Sequence, residues 1–232
     1  MNIKDIIIKY EKPLSRIYRA FFNLRGFRFD KKNKISYGSS FCKNLKFDIK
    51  GNNNEVLFVE GGLTRVNDCR FSIHGSNNKI IIHGHVVIDD CDFCMEDDNN
   101  VIEIFNNTWI NPKVEFAAIE GTRIVVGKDC MFSAYISLRT GDSHSVLNAE
   151  TGLRINPSKD IIISDHVWVG SGATILKGTV IGEDCVVSAK AVLAGKSFPH
   201  QSIIAGLPGE VKKRGITWDR KRSISLEGKN NL

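Results

Sequence analysis

The sequence predicts an all-β fold, a parallel β-helix in which short strands and tight corners form triangular coils that stack on one another. Three observations predict it: a strict six-residue repeat after residue 163, the same repeat upstream of a polar insertion, and a longer repeat of 22 to 24 residues nearer the N-terminus. Such repeats are typical of solenoids, whose units bury a continuous core only when they stack.

The six-residue repeat runs through "ISDHVW", "VGSGAT", "ILKGTV", "IGEDCV" and "VSAKAV" at 163–192. Neither the 3.6-residue period of a helix nor the alternation of a long strand produces this pattern, whereas three short sides of a triangle do. The first places should fill the interior, with small residues at the fifth: Ile163, Val169, Ile175, Ile181 and Val187, then Val167, Ala173, Thr179, Cys185 and Ala191. We expect four glycines to relax the backbone at turns: Gly170, Gly172, Gly178 and Gly182.

The same repeat occurs upstream, where Val126, Phe132 and Leu138 take the first places. The 25 positions between Leu138 and Ile163 are not a multiple of six. We therefore expect the polar stretch 141–160 to leave the coil as a protruding loop and to return. Loops on rigid scaffolds commonly carry function.

Longer repeats begin at Phe47, Phe71 and Phe93, whose rings should form a ladder. Asparagine runs follow each of them and suit corners, because asparagine tolerates a left-handed backbone. A second ladder is predicted from the motifs "DCRF", "DCDF", "DCMF" and "DCVV", which place four small buried thiols at one repeat position: Cys69, Cys91, Cys130 and Cys185.

Three segments follow from this pattern. Residues 1–35 are expected to form a capping segment with a short basic amphipathic helix over 12–25. Residues 36–205 should form the parallel β-helix, and residues 206–232 a C-terminal tail. The helix should cover the open first coil, since exposed terminal coils need cover; packing between subunits and contact with a membrane are the alternatives.

Composition is that of a folded globular chain, with 42% hydrophobic and 25% charged residues. No apolar run is long enough for a membrane span or a signal peptide, which predicts a cytoplasmic protein with free thiols. Peripheral contact with the inner face of a bacterial membrane through the basic N-terminal segment stays open. Cys91 and Cys94 form a lone CxxC without a second ligand pair, so no metal is expected.

The net charge of +6 is concentrated in basic residues at the two ends of the chain. Such ends suit an anionic ligand or surface. No nucleic-acid-binding motif accompanies them, and we expect no nucleic-acid partner.

The motif "DSH" at 142–144, followed by "VWVGSGATILKGTVIG", "SAKAVL" and "SIIAGLPGEVKK", resembles the hexapeptide-repeat O-acetyltransferases over about residues 122–214. Galactoside and maltose acetyltransferases share the pattern, and the resemblance is nearer to bacterial capsular or lipopolysaccharide O-acetyltransferases, including those acting on polysialic acid. The resemblance implies a left-handed β-helix, a homotrimer, and acetyl-CoA bound in the cleft between adjacent subunits.

His144 is the candidate general base. Acyl transfer to a sugar hydroxyl needs a base, and histidine titrates near neutral pH. His144 lies in the polar loop beside Asp142 and Ser143, where substrate can reach it. We expect it to take the proton of the acceptor hydroxyl during direct attack on acetyl-CoA, and to pass that proton to the departing thiolate.

The resemblance implies further site residues. Trp168 would form a wall of the acceptor or thioester site, and the backbone N–H of Ser171 would stabilise the developing oxyanion. The positions along the pantetheine arm would be Gly170, Ser171, Ala189 and Gly206. Lys213 would lie near the CoA phosphates with Lys190 and Lys196 as helpers. The galactoside enzymes carry an arginine where this chain has Glu210, so the phosphates must be held differently here.

The other histidines are predicted to have structural roles. His166 is expected to be a solvent or interface residue, and His74, His83 and His85 are expected at corners of the early coils.

The resemblance implies acetylation of a sugar hydroxyl of a bacterial surface polysaccharide, and the basic ends favour an acidic polymer such as a sialic-acid capsule. Three alternatives stay open: a small-sugar O-acetyltransferase of the galactoside or maltose type, a non-catalytic β-helix scaffold, and a zinc carbonic anhydrase. The last would require three converging histidines.

Overall fold

A computed structural model describes residues 3–22 and 32–222. In this part the chain forms one helix, α1 (Ile3–Phe22), followed by short strands in three sheets. All strand pairs are parallel except the last, in which the final strand of the chain (Glu210–Arg214) turns back antiparallel to its neighbour (Ser202–Ala205). One sheet has seven strands, one from each complete coil. The predicted all-β parallel β-helix is confirmed. The division into capping, solenoid and tail segments stays a prediction.

Successive strands of the chain go to three sheets, I, II and III, in turn, except that the last two strands both lie in sheet II. Sheet I contains β1 (Lys34–Ser36), β4 (Glu55–Phe58), β7 (Lys79–Ile82), β10 (Val101–Ile104), β13 (Arg123–Val126), β16 (Ile161–Ile163), β19 (Val180–Ile181) and β22 (Ser197–Phe198). Sheet II contains β2 (Phe41–Lys43), β5 (Arg65–Asn67), β8 (Val87–Asp89), β11 (Trp109–Ile110), β14 (Met131–Phe132), β17 (Trp168–Val169), β20 (Val186–Val187), β23 (Ser202–Ala205) and β24 (Glu210–Arg214). Sheet III contains β3 (Lys46–Lys50), β6 (Arg70–His74), β9 (Asp92–Glu96), β12 (Glu115–Ile119), β15 (Ser137–Arg139), β18 (Thr174–Leu176) and β21 (Val192–Leu193).

The interior of the prism is filled as the repeat predicts. All first-place and fifth-place residues of the 163–192 repeat are buried, as are Val126, Phe132 and Leu138. The phenylalanine ladder is confirmed: ring centroids of Phe47 and Phe71, and of Phe71 and Phe93, lie 4.9 Å apart. Phe116 extends it by another rung at 5.1 Å. Stacking of the rings stabilises the fold beyond the contribution of the apolar area that they bury.

The cysteine prediction needs one correction. Cys69, Cys91, Cys130 and Cys185 are all buried and free, but they form two ladders. Cys69 and Cys91 precede strands of sheet III, whereas Cys130 and Cys185 precede strands of sheet II. A cysteine can precede a strand of either sheet, so the motif alone does not identify the corner.

Gly172 and Gly178 have positive φ, as predicted for turns. Gly170 and Gly182 do not, and the reason for glycine there is a close approach of the next coil. A Cβ on Gly170 would lie 2.6 Å from the Ala189 nitrogen, and one on Gly182 would lie 2.5 Å from the His200 nitrogen.

Asparagines serve the early corners in two ways. Asn53, Asn77 and Asn99 have positive φ. Their neighbours Asn54, Asn78 and Asn100 are buried and form an internal ladder, in which the Asn78 backbone N–H donates to Asn54 Oδ1 (3.0 Å) and the Asn100 N–H donates to Asn78 Oδ1 (2.8 Å). The side-chain amides thus satisfy backbone donors that the corner leaves unpaired.

Helix α1 begins nine residues before the predicted start at residue 12, because the apolar periodicity already starts at Ile3 and the helix continues through Pro13. Residues 23–25 of the prediction lie outside the described residues. Glu11, Tyr18 and Arg19 contact the first coil, so α1 packs where the solenoid begins. In the part of the chain described, no helix combines the length and hydropathy needed to cross a bilayer.

Candidate active site

The predicted protruding loop is present, and it is an ordered hairpin. It leaves sheet III after β15 and returns to sheet I at β16, so it stands at the corner between sheets III and I. Its arms are joined by a hydrogen bond from the Ile155 N–H to the Val146 carbonyl (2.9 Å) and by an antiparallel bridge between Leu147 and Arg154. The loop therefore has a defined shape.

Asn156 fixes the base of this hairpin. Its side-chain amide donates to Asp142 Oδ2 (2.7 Å) and to the His144 carbonyl (2.8 Å), while its Oδ1 accepts from the Val146 N–H (2.7 Å). Lys177, on the neighbouring coil, donates to Asp142 and to the Asn156 carbonyl. One side chain thus holds both arms of the hairpin and the backbone of His144.

Two carboxylates anchor the hairpin to the coils. The Lys177 ammonium, followed by the Asn156 amide, lowers the pKa of Asp142 below its ordinary value. Arg154 pairs with Glu120 at 2.6 Å, and this contact, followed by that of Ser158, lowers the pKa of Glu120. Both carboxylates are therefore charged throughout the neutral pH range, so both ion pairs are present there.

His144 is exposed, and its imidazole has no hydrogen bond or ion pair within the residues the structure describes. Its backbone is held while its ring is free to meet a ligand, which is the arrangement that a general base needs. A cleft of about 430 Å³ opens beside the hairpin base between Asn156, Pro157 and Lys177, and His144 does not line it.

Trp168 lies elsewhere on the chain. It is 37% exposed on the outer face of sheet II, and its Nε1 is 3.5 Å from Ser133 Oγ. The corner that carries the hairpin is opposite sheet II in a triangular coil. The structure therefore does not bring Trp168 and His144 together within one chain.

The residues predicted along the pantetheine arm do come together. Gly170, Ser171, Ala189 and Gly206 follow β17, β20 and β23, so they form a column at the corner between sheets II and III. Ser171 and Ala189 are exposed, whereas Gly170 is buried. A side chain at Gly170 would clash with the backbone of the next coil. The small exposed residues leave an open surface at this corner.

The Ser171 backbone N–H donates no hydrogen bond to any residue described, and the same holds for Ala134 and Ala189 at the same corner. An unused donor is thus a property of this corner in several coils. It suits the predicted oxyanion role, although it does not single out Ser171. The Ser171 hydroxyl donates to the Ala134 carbonyl (3.0 Å), so it serves the coil.

The three predicted lysines occupy different places. Lys190 follows Ala189 at the same corner, Lys196 lies at the corner between sheets III and I, and Lys213 is exposed on the edge strand β24. Glu210 forms an ion pair with Lys212 at 2.7 Å, which lowers the pKa of Glu210. Glu210, which stands where the galactoside enzymes carry an arginine, is therefore paired with Lys212. The sequence alone does not predict this pair.

Comparisons with known proteins agree with this geometry. Residues 160–195 match the family described as bacterial transferase hexapeptide (six repeats). The polysialic acid O-acetyltransferase of Neisseria meningitidis is 33% identical over 190 residues, which cover 82% of this chain and 86% of that protein. The chain belongs to the hexapeptide-repeat O-acetyltransferases.

Solved structures show the same relationship for this acyltransferase. The crystal structure of the polysialic acid O-acetyltransferase OatWY superimposes with a TM-score of 0.76 at 32% identity, covering 87% of this chain and 92% of that one. The polySia-specific acetyltransferase NeuO gives a TM-score of 0.64 at 28% identity, covering 79% and 92%.

One group of residues in this O-acetyltransferase was missed by sequence reasoning. Residues 216–220 form a strap that runs back along the corner between sheets I and II. They contact one residue with positive φ at this corner in each of five successive coils. The contacts are Ile216 with Gln201, Thr217 with Asp184, Trp218 with His166, and Arg220 with Asp129 and Asn107. The sequence predicts only a basic C-terminal tail here, because a strap has no periodicity.

The strap corrects the interpretation of His166. Its Nδ1 is 2.6 Å from Asp184 Oδ1, and its ring stacks on Trp218 with centroids 4.3 Å apart. The His166 contact lowers the pKa of Asp184. Trp218 in turn lies 6.2 Å from Trp168. His166 is thus a structural residue beneath the strap, because the left-handed corner turns its side chain toward the tail.

The early histidines are only partly corner residues. His85 has positive φ and fits the prediction. His74 ends β6 beside Asp48, and His83 follows β7, where it bonds Glu103 at 2.8 Å. Among the described residues, no three His, Cys, Asp or Glu side chains are grouped so that they could hold a metal ion.

Proposed function

We propose that this acyltransferase moves an acetyl group from acetyl-CoA to a hydroxyl of a bacterial surface polysaccharide, with His144 as general base. The observation that carries the proposal is the hairpin itself: it fixes the His144 backbone through Asn156 and leaves the imidazole exposed. The activity named for relatives that match most of the chain supports the acceptor class.

The reaction is a direct transfer. The acceptor oxygen attacks the thioester carbon, the C–O bond forms and the C–S bond breaks. His144 takes the hydroxyl proton as the oxygen attacks and delivers it to the sulfur as the thiolate leaves. The Ser171 backbone N–H stabilises the negative charge on the carbonyl oxygen, where one such donor is worth about 3 kcal/mol.

Acetyl-CoA supplies the activated acyl group. Gly170, Ser171, Ala189 and Gly206 are proposed to lie along its pantetheine arm, since Ser171, Ala189 and Gly206 are small and exposed and Gly170 lies beside Ser171 in the same column. Lys190 lies at that corner, and Lys213 and Lys196 are proposed for the phosphates. Glu210, neutralised by Lys212, is compatible with anion binding nearby. No metal ion is required for this chemistry.

We propose a homotrimer in which each site lies between two chains. His144 and Trp168 belong to opposite parts of the triangular coil, so a complete site needs the hairpin of one chain beside sheet II of the next. In that arrangement Trp168 forms a wall of the acceptor site.

We propose a cytoplasmic location. All six cysteines are free, which suits a reducing compartment, and the acetyl donor is available there.

The proposal is tested by incubating the protein with acetyl-CoA and polysialic acid, lipopolysaccharide O-chains or small galactosides, and by mass spectrometry of the products. We expect acetylated polysialic acid. If only galactosides are acetylated, the acceptor is a small sugar and not a polysaccharide. If acetyl-CoA is not consumed with any of these acceptors, the protein is a non-catalytic scaffold.

The first variant prediction concerns His144. His144→Gln should lower kcat about 10²- to 10⁴-fold, because the proton of the hydroxyl has no acceptor. His200→Gln, at an exposed corner histidine, is the matched control and should keep wild-type turnover. Near-native turnover of His144→Gln would end the assignment.

A further inference from the structure

Among the described side chains of helix α1, those that contact the solenoid are mostly polar, with the ring of Tyr18 packed edge-on against Phe41 as the apolar contact. Ser15 and Glu11 are buried there, and Glu11 accepts a hydrogen bond from the Ser39 hydroxyl at 3.1 Å. Arg19 donates to the Ser40 carbonyl, and Lys12 pairs with Glu60 at 2.5 Å. A helix that covers an apolar core normally turns its apolar face inward. Between residues 10 and 20, by contrast, this helix places polar side chains and one tyrosine ring against the solenoid.

The opposite face of α1 is apolar and exposed. Tyr10, Leu14 and Ile17, which we call the outer stripe, follow the i, i+4, i+7 spacing of one helix face and are 45%, 53% and 65% exposed. Large apolar side chains at this spacing on a solvent-facing helix are typical of a surface that binds something.

The charge of the chain is concentrated in the same segment. Residues 1–35 contain ten Lys and Arg against three Asp and Glu, a net +7, whereas the whole chain carries +6. Residues 36–232 therefore have a net charge of −1. Arg16 is exposed on the flank of the outer stripe. An apolar stripe with Arg16 on its flank, in a segment of high positive charge, matches the surface of a bilayer that contains anionic lipids.

We infer that α1 is a peripheral membrane anchor, which lays the outer stripe into the interface of an anionic bilayer while its polar face holds the solenoid. Leu14 and Ile17 enter the acyl boundary, and Arg16 contacts the phosphate headgroups. The inference does not depend on the acceptor or on His144.

Vesicle flotation with the full chain tests this. Binding to vesicles with about 30 mol % phosphatidylglycerol should be at least about tenfold tighter than to pure phosphatidylcholine, and should weaken in high salt. Leu14→Ser/Ile17→Ser should reduce binding to the anionic vesicles by about tenfold or more, because two apolar side chains no longer enter the bilayer. Neither acetyl-CoA nor an acceptor is present, so the outcome is separate from activity.

Val180→Ser/Leu207→Ser is the matched control, since Val180 and Leu207 are 37% and 77% exposed on the solenoid and its C-terminal end. This control should bind as the wild type does, and circular dichroism of both variants shows whether they fold. Equal binding by the two double variants would overturn the inference. Failure of the wild-type chain to bind anionic vesicles would also overturn the inference. If the outer-stripe variant binds vesicles normally but has a smaller mass in light scattering, the outer stripe is a contact with a second copy of the chain and the inference is likewise overturned.

Discussion

At the residue scale, Asn156 determines how His144 is presented. Its amide and carbonyl groups join Asp142, the His144 carbonyl and the Val146 N–H, so the base of the hairpin has a single geometry. Misplacement of a reacting group by about 1 Å can cost about a hundredfold in rate. We therefore propose that Asn156 positions His144 for its proposed role as general base.

Asn156→Ala should lower kcat up to about a hundredfold while the melting temperature stays near that of the wild type, because the hairpin is outside the core. Steady-state kinetics and thermal unfolding measure the two effects. The control is Asn67→Ala, which loses a 2.7 Å bond to Asp89 far from the hairpin and should retain activity. Unchanged turnover of Asn156→Ala would show that the hairpin does not position the base.

The carboxylates of the hairpin also predict its pH dependence. The pKa values of Asp142 and Glu120 are lowered in the folded chain, so their stabilisation is fully present above the ordinary carboxyl pKa of about 4 and is lost as the pH falls through the lower folded values. Protection of the Ile155 amide, corrected for its intrinsic exchange rate, should be constant from about pH 5 to 8 and decline only below about pH 4. Loss near neutral pH would contradict this, and Asp142→Asn should show reduced protection throughout.

At the scale of elements, the strap joins five successive coils at one corner. Trp218 stacks on His166 and donates from Nε1 to the His166 carbonyl (2.8 Å), and Arg220 lies over the rings of Trp109 and Trp218. These contacts link residues about 50 to 110 positions apart in the chain, and they act where stacked coils would otherwise expose their corners.

Trp218→Ala should reduce the free energy of unfolding by about 1–3 kcal/mol, since it removes a stacked, partly buried ring and one hydrogen bond. Urea unfolding measures the loss, and near-UV circular dichroism should change because Trp218 lies 6.2 Å from Trp168. Trp109→Ala is the comparison: that ring is 53% exposed and contacts the Arg220 guanidinium, so its loss should be about 1 kcal/mol or less. A larger effect at Trp109 would mean that the strap does not depend on Trp218.

At the scale of the whole molecule, the separation of His144 from Trp168 bears on assembly. If each site uses the hairpin of one chain and sheet II of the next, inactive variants should complement one another. Mixed trimers of His144→Ala and Trp168→Ala, refolded in equal amounts, should recover about a quarter of wild-type activity, because that share of interfaces unites the two intact sides. The mass in solution should correspond to three chains. Activity no higher than that of either variant would place the site within one chain.

Much of the solenoid follows from periodicity. Inward positions at Ile163, Val169 and Ile175 are set by a spacing that no other architecture explains, and the phenylalanine ladder follows from the spacings between Phe47, Phe71 and Phe93. The insertion at 141–160 is visible because it breaks the period. Local pattern suffices where every coil repeats the same contact.

Contacts that do not repeat from coil to coil could be identified only in the three-dimensional structure. The exposed placement of His144 was predictable from its polar neighbours, whereas the hydrogen bonds of Asn156, the pairing of Glu210 with Lys212, and the role of His166 under Trp218 were not. The division of the cysteines between two corners was hidden as well, since each corner accepts the same small side chain.

The sequence by itself determined the triangular coil, its core and the place where a loop leaves it, because a six-residue period has one geometric solution. The tertiary structure decided which corner carries the hairpin, which face of α1 meets the solenoid, and where the tail runs. These depend on side chains that are distant in the chain and meet only when the coils stack.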